Sequence, residues 1–188
     1  MTNSESITLC LQRLRDGDVA AAGEMLPMLY GELRGLAAHC MRGERAGHTL
    51  QPTALVHEAW LKVARALGNG ADIRDRQHFL AVATKAMRQV LVNHARDRGA
   101  NKRGAGALRV PLDECIDAIE ATTGDIVGLD DLLERLAKDH ARAAQIVEMR
   151  VFGGMLVAEV AQALALAEST VKADWRFASA WLQKELSR

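Results

Sequence analysis

The residues best suited to covalent chemistry in this 188-residue chain are six histidines and three cysteines, and their spacing argues against using them that way. His57 and Glu58 are adjacent in a helical stretch, like the opening of an HExxH zinc motif. That motif needs a second imidazole four residues on, so that two ligands share one helix face, and the position holds Leu61. Cys10, Cys40 and Cys115 are odd in number and lack CxxC spacing, so they define neither a zinc site nor a disulfide framework and read as reduced thiols. The expectation is no catalytic residue, no metal and no cofactor.

Groups suited to binding are more concentrated. Lys85, Arg88, Gln89, Asn93 and Arg96 recur on one half of a helical repeat, opposite Ala83, Ala86, Met87, Val90, Leu91 and His94. Such a basic stripe can track a phosphate backbone, with the amides donating to bases or sugars; the plain alternative is a solvated helix face. The chain balances 24 basic against 24 acidic residues. That neutrality hides a segregation. Lys85 to Arg109 carries seven bases and only Asp97 as an acid, whereas Asp113 to Asp139 carries nine acids against Arg135 and Lys138.

The elements that would position these groups are helices. Apolar residues make up 49% of the chain and aromatics only 4%, with Ala and Leu prominent, a balance suited to packed helices rather than strands. Met25, Leu29, Leu33, Leu36 and Cys40 keep helical spacing after a shorter helical segment around Ile7 to Leu14, and Gly43 and Gly47 end the pattern. Pro52 suits a first helical turn, and Val56, Ala59, Trp60, Val63 and Leu67 continue one face until Gly68, Asn69 and Gly70. A third helix should begin near Arg76 or Gln77. Gly99, Gly104, Gly106, Pro111 and Gly124 then interrupt the periodicity. The expected fold is all-α: a helical domain over 1–100, a linker over 101–125 and a second helical domain over 126–188. No apolar run approaches the roughly 18 residues of a membrane span, and the polar N-terminus lacks a secretory pattern, so the cytoplasm is the expected location.

In the second domain, Val157 to Leu164 and Glu168 to Leu186 form a short and a longer helix joined by Ala165, Leu166 and Ala167. This matches a helix-turn-helix of the winged-helix-like DNA-binding class, in which the second helix reads the major groove from its N-terminal end. Ser169, Thr170, Lys172, Ala173 and Arg176 would be the reading positions, Ser169 being alternatively a helix cap. A helical hairpin serving only as core is the competing interpretation. Ala165 occupies the turn position where a positive φ usually selects Gly, at a cost of about 1 kcal/mol.

Taken in order, these segments resemble the extracytoplasmic-function (ECF) sigma factors of bacterial RNA polymerase over nearly the whole chain. QPTALVHEAWLKV (Gln51 to Val63) is similar to the family's core-polymerase-binding helix, and FLAVATKAMRQVLVNHARDR (Phe79 to Arg98) to its minus-10 helix. VAEVAQALALAESTVKADWRFASAWLQKEL (Val157 to Leu186) is similar to its minus-35 helix-turn-helix, and RVPLD (Arg109 to Asp113) matches a subgroup. The resemblance implies a transcription initiation factor without enzymatic activity. Its partners would be promoter DNA and core RNA polymerase, met at the clamp helices of the largest subunit and at the flap; an anti-sigma factor is left open. It assigns Leu55, His57, Glu58 and Lys62 to the clamp. Asn69, Asp72, Ile73 and Arg74 would form a loop receiving a flipped minus-10 base, whose unstacking costs a few kcal/mol. Lys85, Arg88, Gln89, Asn93 and Arg96 would hold the minus-10 strand, and Ser169, Thr170, Lys172, Ala173 and Arg176 the minus-35 duplex.

The chain departs from the broad pattern at Val82, where many members have Trp, at Gln89, where many have Asn, and at Asp174 and Phe177, where Arg is frequent. The hold on the melted strand and the promoter sequence therefore do not carry over. Two rivals remain at this level: a stand-alone DNA-binding regulator, which has no use for Gln51 to Val63, and a helical adaptor that binds only proteins.

Overall fold

The computed structural model describes residues 3–18, 20–41, 50–99 and 126–186. The expected linker, with Lys102, Arg103 and Cys115, lies outside the described residues, as do Gly43 and Gly47. Among those described, the fold is all-helical: α1 (Asn3–Arg15), α2 (Ala20–Cys40), α3 (Pro52–Gly68), α4 (Arg76–Gly99), α5 (Ile126–Val151), α6 (Val157–Leu164) and α7 (Glu168–Leu186). No described helix is long and apolar enough to cross a membrane.

Local chemistry sets the helix ends. Asp18 accepts the Ala20 N–H at 3.1 Å, satisfying one donor that the start of α2 leaves without an intrahelical partner. Arg13 of α1 grips the same Asp18 at 2.6 Å and Glu24 of α2 at 2.6 Å, pinning the hairpin. The guanidinium holds both carboxyls below their ordinary range. α3 opens on Pro52, whose missing N–H costs nothing there, and closes with the Ala71 N–H returning to Ala66 O at 2.9 Å. Gly70 supplies the positive φ of +84° in that closure. Asp75 accepts the His78 N–H at 2.9 Å at the start of α4. α2 begins five residues before the apolar pattern read from Met25, and it carries Pro27 in its interior. Burial of Ala21, Met25, Leu29 and Leu33 offsets the hydrogen bond that proline cannot make.

The helices on either side of residues 100–125 are docked on one another. A single apolar cluster runs from Ile7 and Leu11 of α1, through Phe79, Met87 and Leu91 of α4, to Leu129, Leu133, Val147 and Leu182. α4 lies between α3 and the pair α5 and α6. Two glycines allow the close approach after α5. A Cβ on Gly154 would sit 2.9 Å from the His39 ring, and one on Gly153 would sit 3.1 Å from Thr84 Oγ1. With no side chain there, Cys40 Sγ donates to Phe152 O at 3.0 Å and His39 Nε2 lies 2.9 Å from Val151 O. Burial pushes the Cys40 thiol up to about 12, which leaves it unreactive.

The connection between α6 and α7 carries a positive φ although the residue there is not Gly. Ala165 adopts φ 54° and ψ 46°, the left-handed region, while the Leu166 N–H closes on Ala161 O at 2.9 Å. An L side chain is strained there by about 1–2 kcal/mol, and glycine's extra freedom in the unfolded chain returns part of that difference. Ala165→Gly is expected to raise stability by about 0.5–1 kcal/mol in urea denaturation, whereas Ala163→Gly, inside α6, should lower it.

Candidate nucleic-acid interface

The expected binding residues fall on three surfaces in different situations. On α3, His57 and Glu58 are exposed and Lys62 is half-buried, so these three share an outward face. Leu55 does not join them. It is fully buried with Val56, Ala59 and Val63, because the inward stripe of α3 is one residue wider than its sequence pattern suggested. The face instead includes Leu61, an exposed leucine that the periodicity did not single out. The Tyr30 ring lies 6.4 Å from that of His57 and borders the same surface.

The second surface joins the 69–75 loop to α4. Asn69 and Asp72 are exposed, with Asp72 3.3 Å from Arg15, whereas Ile73 is buried and anchors the loop in the core. Arg74 donates to Ala163 O at 3.1 Å, a carbonyl in the last turn of α6, where the helix dipole favours a cation. Next to it His78 loses proton affinity, first through burial and then through Arg74.

On α4 the polar stripe does not lie open to solvent along its length. Arg88 is buried, its Nε donating to Glu148 Oε1 at 2.5 Å and its Nη1 pairing with Asp130. Only 8% of the Arg88 side chain is exposed, with 5% of Asp130 and 9% of Glu148. Arg96 extends the network, meeting Asp130 at 3.1 Å and Asp131 at 2.9 Å. All three arginines assigned to minus-10 contacts, Arg74, Arg88 and Arg96, are therefore engaged by groups from α5 and α6. Lys85, Gln89 and Asn93 remain exposed, and Lys85 and Gln89 look into a cleft whose far wall is Glu134, Gln145 and Glu148 of α5.

The third surface is the start of α7. Ser169, Lys172, Ala173 and Arg176 are exposed and Thr170 is half-buried, above an inner stripe of Val171, Ala178 and Leu182. Ala167 precedes the helix and accepts the Thr170 N–H at 3.0 Å, so Ser169 sits within the first turn rather than capping it. Lys172 lies 3.4 Å from Glu168, one turn back. Two neighbours were not picked out from the sequence. Arg142 of α5 pairs with Asp174, and the His140 ring stacks edge-on against Phe177 at 4.5 Å. His140 also breaks the helical geometry of α5, with φ −137° and ψ 56°. No sequence signal marks this kink, since neither Pro nor Gly stands there.

Among the described residues, no three His, Cys, Asp or Glu side chains are grouped to hold a metal ion. The chain is all-helical over the described residues. More particularly, it belongs to the ECF sigma factor family: the family model described as ECF sigma factor matches residues 4–188, nearly the whole chain. No curated protein and no solved structure matches it. The family identified from three ordered segments is thus the family found, and its members are non-enzymatic factors in transcription initiation.

The docked arrangement leads to a stability prediction. Removing one member of a buried ion network leaves charge uncompensated, at about 3–5 kcal/mol for as long as the site stays closed. Arg88→Met is expected to loosen α5 from α4, seen as faster amide exchange across Leu129 to Leu136 and a lower urea midpoint. Lys85→Met, on the exposed part of the same stripe, should change stability by no more than about 0.5 kcal/mol.

Proposed function

We propose that this sigma factor binds core RNA polymerase through the outward face of α3 and recognises promoters through two DNA-reading surfaces on separable helical units, 1–100 and 126–188 joined by 101–125. His57, Glu58 and Lys62 meet the clamp helices of the largest subunit, with Leu61 among them and Leu55 supporting the helix from beneath. Asn69, Asp72, Ile73 and Arg74 shape the pocket for a flipped minus-10 base, and Lys85, Arg88, Gln89, Asn93 and Arg96 hold the melted strand. α6 and α7 act as a helix-turn-helix on the minus-35 duplex through Ser169, Thr170, Lys172, Ala173 and Arg176, while their unit meets the flap. The work takes place in the cytoplasm, where polymerase and promoter are.

The observation that carries this reading is the family match over residues 4–188 together with the exposure of Lys172 and Arg176 at the start of α7. In this reading the docked form is the resting form. Arg88 cannot touch DNA while Asp130 and Glu148 hold it, so α5 must leave α4 before the minus-10 surface works. Binding free energy from polymerase and from the open strand shifts that equilibrium, and no nucleotide hydrolysis is required. An anti-sigma factor would inhibit most simply by favouring the docked form.

The test is transcription by core polymerase with the purified chain added, on DNA recovered by sequencing what the holoenzyme binds. Specific initiation is expected. Glu58→Lys with Lys62→Glu should abolish polymerase association yet leave duplex binding by the free chain unchanged. Failure to bind core polymerase would sink the proposal, and equal loss of both activities, or of neither, would favour a stand-alone regulator.

A further inference from the structure

We infer that Arg142 is a further DNA-contacting residue, presented beside α7 by Asp174 so that its guanidinium meets a backbone phosphate flanking the element α7 reads. The inference rests on the reading of α6 and α7 as a DNA-binding unit and adds a residue from α5 that this reading does not include.

The charge on α7 creates the need. From Glu168 to Arg176 the helix carries two acids, Glu168 and Asp174, and two bases, Lys172 and Arg176, which cancel. Within that balance Lys172 lies 3.4 Å from Glu168. A neutral helix end releases few counterions on meeting DNA, so it gains little from the phosphate backbone. Arg142 changes that balance, because the unit formed by α7 and its clasped guanidinium is positive by one charge.

The geometry places that charge usefully. At about 100° per residue Asp174 lies roughly 60° from Phe177 but about 160° from Lys172 and Arg176, at the border between the exposed face and the buried stripe. The guanidinium it holds therefore stands to the side of the reading positions. The kink at His140 brings α5 along the same border, where His140 packs on Phe177 and Arg142 reaches Asp174. The pairing is bidentate, Nε to Oδ2 at 2.5 Å and Nη2 to Oδ1 at 3.2 Å. A guanidinium has five N–H donors, and this grip occupies two. Both hydrogens on Nη1 and one on Nη2 are left to bind a phosphate while the carboxylate holds the plane fixed. Exposure agrees with this division of labour, since Asp174 is 20% exposed and Arg142 57%.

A contact to phosphate is independent of sequence, so the test uses the full-length free chain and a fluorescent random-sequence 30-base-pair duplex, with anisotropy titrations between about 50 and 200 mM salt. Arg142→Gln should weaken binding several-fold and reduce the salt slope by about one. Asp174→Asn keeps an oxygen acceptor for the guanidinium while removing a negative charge near the phosphate, so it should bind at least as tightly as the parent. The double variant should lose the Arg142 contribution as Arg142→Gln does. Thermal melting by circular dichroism confirms that each variant is folded. An unchanged slope for Arg142→Gln would overturn the inference. So would equal weakening by Asp174→Asn with no further loss in the double variant, the pattern of a clip that only ties α5 to α7. A chain that shows the slope change yet fails to direct initiation sinks the sigma-factor mechanism and leaves this contact standing; the opposite pair of results does the reverse.

Discussion

A single buried guanidinium, that of Arg88, ties the polar side of α4 to α5. Asp130 and Glu148 enclose it from α5, and Arg96 continues the pairing to Asp130 and Asp131. Burying such ions gains little over an apolar substitute, because desolvation consumes most of the Coulombic attraction. The apolar cluster shared by α4, α5 and α7 must therefore supply most of the docking free energy. What the ions contribute is a choice of partner. In the proposed mechanism a phosphate takes the place of each carboxylate on α5, so that Arg88 keeps an anionic partner when α5 leaves α4.

The three proposed surfaces differ in how this docking affects them. The outward face of α3 and the start of α7 are exposed in the docked form, whereas the arginines of the loop and α4 are engaged. That asymmetry gives an order of events in the proposed mechanism. Polymerase can be engaged first, through α3, while non-specific attraction of α4 to DNA stays suppressed. Moving the equilibrium from almost wholly docked to almost wholly open takes about 5.5 kcal/mol of differential binding, which a polymerase interface and a promoter can supply together.

Much of the helix framework was legible in the sequence because its signals are local. Pro52, Gly68 to Gly70 and the apolar spacing of α3 and α4 each act within a turn or two, and the helix ends fall where they indicate. At Ala165 the residue type argued against the positive φ that the turn adopts, because Gly usually fills such a position. The environment of the polar residues was not legible. A stripe of Lys85, Arg88, Gln89 and Arg96 has the same periodicity whether water or a second helix covers it, and only the acids more than 30 residues away distinguish the cases. Likewise Leu55 and Ile73 are apolar residues that would suit a core or a binding face equally well, and the fold buries both. The kink at His140 and the Arg142 to Asp174 pair arise from tertiary contacts that one-dimensional spacing does not encode.

The exchange at Arg88 can be followed most directly as a distance. Spectroscopic labels at Arg65 on α3 and Lys184 on α7, both exposed, report the separation of the two sets of helices in the free chain, with core polymerase, and with polymerase on promoter DNA. A short, narrowly distributed separation is expected in the free chain and a clearly longer one in the holoenzyme. A holoenzyme that initiates specifically while the labels keep the free-chain distance would contradict the proposed exchange.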